Sequence, residues 1–195
     1  MNKKWLKIAL GMLCVILIYF TLFHKSTDPD DYCAKIDKIT NVFIKDMHKN
    51  YGLIYRGQGG SCMDNIKRIS VLFKKPEKSD IPESRVLLVN CVEEFLRRVN
   101  ADEDVRPFLV QYPFTNENVH ISIGFQKPQN ASEHETIVHV FNVEDRVVYS
   151  VYEKIPPPAN YRHKPKLKEP YEEALRIVKE SGRLDVDMSD ERAAS

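Results

Sequence analysis

Apolar residues along this chain fall into three patterns. The first is an unbroken run, Trp5 to Phe23, reading WLKIALGMLCVILIYFTLF and uncharged after Lys7. The second is helical. Tyr32, Ile36, Ile39, Phe43 and Met47 recur every three or four residues and predict a helix from about Asp28 to Asn50. Leu88, Val92, Phe95 and Val99, flanked by Leu87, Cys91 and Leu96, predict a second from about Pro82 to Asn100. Tyr171, Ala174, Leu175 and Val178 predict a third from about Pro170 to Ser181. The third pattern is alternation. Val119, Ile121, Ile123 and Phe125 alternate with His120, Ser122, Gly124 and Gln126, which predicts a strand. Ile69, Val71 and Phe73 alternate with Ser70, Leu72 and Lys74 within a strand from Ile66 to Lys75. Thr136–Val143 and Arg146–Lys154 read as a hairpin closed at Glu144-Asp145, and Leu53–Tyr55 as a short extended piece.

Punctuation supports these bounds. Asp28-Pro29 and Asp80-Ile81-Pro82 place an acidic cap and an early proline where helices start, and Gly52 supplies a stop. The predicted order is α-β-β-α-β-β-β-α. It implies an α+β domain with a mostly antiparallel sheet of four to five strands and helices on one face. The second helix is the most apolar after the N-terminal run, so it is expected across the sheet, with Glu93, Glu94, Arg97 and Arg98 on its wet side as i,i+4 pairs. Gly57, Gly59 and Gly60 with Ser61 read as a glycine-rich hairpin loop, and Ala101–Asn118 as an irregular connection rich in proline and aromatics.

The N-terminal run changes the picture from a free domain to a tethered one. A bilayer core of ~30 Å needs about 20 mostly apolar residues of helix. Lys3, Lys4 and Lys7 precede or open the run, and Asp28, Asp30 and Asp31 come after it. The positive-inside rule then leaves the N-terminus cytoplasmic and the rest outside. The alternatives are a cleaved signal peptide, for which the Ala-x-Ala-like site is missing, and a lipoprotein signal at Cys14, where Leu13 stands in place of Gly or Ala. The expected organisation is an anchor over 1–24, an α+β extracytoplasmic domain over 25–154, a basic Pro-rich segment with the last helix over 155–181, and a disordered tail over 182–195.

Net charge is +1 for 195 residues, and the three lysines at the anchor leave about −2 for residues 24–195. That excludes a strongly basic nucleic-acid-binding domain. Outside the cytoplasm one disulfide is permitted among Cys33, Cys62 and Cys91; spacing leaves the connectivity open, and Cys91 reads as a small buried hydrophobe.

The candidate chemistry is sparse. Gly57-x-Gly59-Gly60-Ser61 runs toward a strand, whereas a phosphate cradle opens onto a helix. His134 and His139 are five apart, not the four of a metalloprotease helix, so no metal or other cofactor is expected. Asn130-Ala131-Ser132 fits the glycosylation pattern. Arg106, Tyr112 and Phe114 supply residue types that interfaces favour. With Gly59, Gly60, Ser61 and Asp64 they are the expected binding surface for a protein or an envelope component. No catalytic residue is assigned. The alternative is a tethered hydrolase or thiol enzyme built on the 57–64 loop, using Ser61 or Cys62 with Asp64 and a histidine.

Tyr51-Gly52-Leu53, the loop Gly59-Gly60-Ser61-Cys62-Met63-Asp64-Asn65-Ile66, Cys91-Val92-Glu93-Glu94-Phe95-Leu96, and Arg106-Pro107 through Tyr112-Pro113-Phe114-Thr115 to Asn118 resemble a family of bacterial proteins that carry an N-terminal anchor or signal and have no assigned activity. The resemblance covers roughly residues 50–125. It implies a bacterial origin and that these segments form one module, and it implies no chemistry.

Overall fold

The computed structural model describes residues 29–62, 64–126, 136–156 and 161–185. The apolar run 5–23, His134, Glu135 and the triplet Asn130–Ser132 lie outside them. Among the described residues no helix is long and apolar enough to cross a membrane.

The elements in chain order are α1 (Pro29–Tyr51), β1 (Ile54–Ser61), β2 (Arg68–Lys74), α2 (Ile81–Ala101), β3 (Val119–Gly124), β4 (His139–Val143), β5 (Arg146–Lys154), β6 (Tyr161–Pro170) and α3 (Tyr171–Glu180). Two short 3-10 turns, Arg106–Phe108 and Asn116–Asn118, interrupt the connection after α2. The strands lie side by side in chain order, β1 to β6. Among the described strands only β2 and β3 pair in parallel, because α2 carries the chain back between them. The α+β class and the mostly antiparallel sheet match the sequence reading, but the sheet has six strands where four to five were expected.

The sixth strand comes from the basic, Pro-rich segment. It pairs with β5 from Lys154↔Tyr161 to Arg146↔Pro170. Proline is tolerated because β6 is an edge strand, and Pro165 sits opposite Ser150 at a bulge in the ladder. The glycines also differ from expectation. Gly57, Gly59 and Gly60 lie within β1, the other edge, and the turn falls after Ser61. A Cβ on Gly60 would come within 2.9 Å of the Arg68 carbonyl oxygen, so that position accepts only glycine without a shift of the β2 backbone.

One face of the sheet is covered by helices. Leu88, Val92, Phe95 and Val99 of α2 are fully buried against Val71, Ile121, Ile123 and Val140. Phe43 of α1 meets Phe95 and Phe73 edge-on, at 4.9 and 5.9 Å between ring centroids. The start of α2 is capped as expected, with Glu83 N–H donating to Asp80 Oδ1 at 2.9 Å. The i,i+4 pair Glu94–Arg98 forms as the sequence reading has it, at 2.6 Å, whereas Glu93 leaves the wet side. Glu94 accepts from both Arg97 and Arg98, while Glu93 is buried and accepts from the Tyr171 hydroxyl of α3 at 2.7 Å. The docking of α3 is what turns Glu93 inward. Residues 183–185, expected to open a disordered tail, are pinned to α2: Asn90 donates to the Arg183 carbonyl and accepts from the Asp185 N–H, each at 2.9 Å.

Candidate binding face

Among the described residues, no helix covers the other face of the sheet. Strand alternation delivers His120 and Ser122 of β3, His139 and Phe141 of β4, Ser150 and Tyr152 of β5, and His163 of β6 to that side, opposite the residues packed on α2. Toward the Lys74 end of β2, His139, Phe141, Ser150, Tyr152 and His163 line a groove of about 680 Å³.

Its floor is a chain of ring contacts. Phe141 lies 5.0 Å from the His139 ring, His139 is 5.6 Å from His163, and His163 is 4.8 Å from Tyr152. His139 Nε2 and Ser122 Oγ are 2.6 Å apart and share a hydrogen bond. Burial, reinforced by the neighbouring His163 and His120 rings, pushes His139 down to about 4. Burial also lowers His120, against the Asn142 carbonyl that accepts from its ring. At neutral pH both rings are therefore uncharged, and in the groove His139 presents a neutral aromatic face beside the Lys74 side chain.

The Ser122–His139 pair does not have the setting of a hydrolase dyad. A general base works best with a pKa near the operating pH, and His139 lies far below it. Among the described residues the ring is hydrogen-bonded to Ser122, not to a carboxylate that would hold an imidazolium. Among the described residues no group of three or more His, Cys, Asp or Glu is placed to hold a metal ion.

The residues singled out from sequence sit elsewhere. Gly59, Gly60 and Ser61 lie on the exposed edge strand β1, and Asp64 is exposed in the turn beyond it. That turn meets the connection after α2: Ile66 N–H donates to Phe108 O at 2.7 Å, and Val110 N–H to Ile66 O at 3.0 Å. The guanidinium of Arg106 lies 4.5 Å over the Tyr112 ring, and Tyr112 is 50% exposed. The structure thus gathers Asp64, Arg106 and Tyr112 at one corner, at the opposite end of β2 from the groove. Phe114 is not part of that surface. It is 2% exposed, and Asn100 of α2 bonds both its N–H and its carbonyl, so it is a core anchor. Burial, the Cys33 thiol and Asp37 push the Cys62 thiol up to about 11, which keeps it protonated at neutral pH.

Sequence reasoning missed the groove as a site. The alternation of β3 did carry a signal, since His120 and Ser122 fall opposite three β-branched core residues. The partnership of His139 with His163 depends on β6, which the sequence pattern hides.

Among the described residues, fold and face together define a two-layer α+β sandwich with one uncovered, aromatic-lined sheet face. No family model, curated protein or solved structure matches the chain.

Proposed function

We propose that this chain is a single-pass membrane-anchored envelope protein whose extracytoplasmic domain is a binding module, with the uncovered sheet face as its binding surface. The observation that carries the reading is the groove: a concave site of about 680 Å³ lined by Phe141, Tyr152, His163 and the uncharged imidazole of His139. Such a lining suits an apolar or aromatic group of a protein or envelope component, oriented by hydrogen bonds to Ser150, His163 or Lys74. The anchor rests on the run Trp5–Phe23 and its flanking charges. The corner formed by Asp64, Arg106 and Tyr112 is a second exposed surface and not part of the groove. The alternative of a thiol enzyme at Cys62 is weaker, because its thiol is held protonated.

A photo-crosslinking residue placed at Phe141 or Tyr152 of the full chain in intact cells tests the reading. Adducts are expected from both positions and not from Lys179, on the exposed side of α3. Equal adducts from Lys179, or none from the groove, would contradict it.

A further inference from the structure

Cys33 stands in the first turns of α1, and Cys62 directly follows β1, with 28 residues between them. The fold brings them together. The Cys33 thiol donates to the Cys62 carbonyl at 3.6 Å, and the Tyr32 hydroxyl donates to the same oxygen at 3.0 Å. Both cysteines are half-buried at the edge of the core, so a reagent reaches them from solvent. Cys91 differs in every respect. It is fully buried in α2, its sulfur 3.5 Å from that of Met47.

We propose that Cys33 and Cys62 are a redox-active pair that forms an intrachain disulfide, joining the start of α1 to the end of the glycine-rich edge strand. The oxidant is a disulfide, carried by a protein or a small thiol compound. The Cys33 thiolate attacks a sulfur of that disulfide, forming a mixed disulfide and releasing one thiolate. The Cys62 thiol then gives up its proton as its sulfur attacks that of Cys33 in the mixed disulfide and releases the other. Two cysteine thiols become one disulfide, the oxidant's disulfide becomes two thiols, and the two protons pass to the departing thiolates. The bond fastens the turn that carries Asp64 to the helix nearest the anchor. The pairing is independent of what occupies the groove.

The test uses the purified full chain in detergent micelles, incubated with oxidised glutathione, then denatured, alkylated and peptide-mapped. The expected product is an intrachain Cys33–Cys62 link in most molecules, with Cys91 still alkylatable after unfolding. Cys91→Ser and Cys14→Ser chains form the same link, whereas Cys33→Ser and Cys62→Ser chains lose it. The wild-type map stands without the variants. Persistence of both thiols, glutathione adducts at Cys33 or Cys62 with no link between them, or links that run to Cys91 or Cys14 would each overturn the proposal.

Discussion

The two faces of the sheet are built from the same strands and obey different rules. On the covered face, Val71, Ile121, Ile123, Val140 and Tyr149 are sealed by α2 and its neighbours, and polar groups there are paired. Tyr149 and Arg85 both bond Glu169, and Glu93 takes the Tyr171 hydroxyl. On the open face, Phe141, Tyr152, His120 and His139 are only partly buried, and His163 is exposed. The covered face is where apolar burial holds the fold. The open face keeps aromatic surface in reach of solvent, a cost that a structural role alone does not require. If the contrast is sound, substitutions on the first should damage stability and those on the second should damage binding.

The largest effect is expected at the centre of the covered face. Phe95→Ala removes a ring packed on Phe43 and should cost about 4 kcal/mol, read as a lower urea midpoint. Glu169→Ala comes next. It leaves Arg85 and the Tyr149 hydroxyl buried without their shared acceptor and should cost about 3 kcal/mol. A loss under about 1 kcal/mol at either position would break the contrast from the structural side.

The histidines give an intermediate effect with a defined sign. The folded-state pKa of His139 is depressed from 6.5 to about 4, so the unfolded chain binds the proton more readily. The stability associated with the neutral ring is present above about pH 6.5 and is lost as pH falls toward 4. His139→Gln should flatten that part of the pH–stability profile relative to the wild type. Parallel profiles would mean that the ring is not buried as described. The smallest stability effect is expected at Tyr152→Ala, within about 0.5 kcal/mol by the same urea measurement.

How far the sequence reached depends on where each residue takes its instructions. β5 was bounded correctly at Arg146 and Lys154, and the helices to within a residue or two, since alternation and helical spacing are local signals. β6 was not legible. Its prolines and basic residues show no buried alternation, and the ladder to β5 is what makes it a strand. In β1, Gly57, Gly59 and Gly60 have no side chains whose alternation would mark a strand. Phe114 shows the limit of residue type: an aromatic in a loop reads the same whether it faces solvent or Asn100. The groove needed the register of five strands at once, which spacing along one chain does not give.

The most direct test concerns the proposed binding face. Adduct yield from the Phe141 crosslinker is measured in cells for the otherwise wild-type chain and for the chain carrying Tyr152→Ala and His163→Ala, with melting temperature measured in parallel. The expected result is a yield reduced at least several-fold at an unchanged melting temperature. An undiminished yield from the doubly substituted chain would contradict the assignment of the open face as the binding surface.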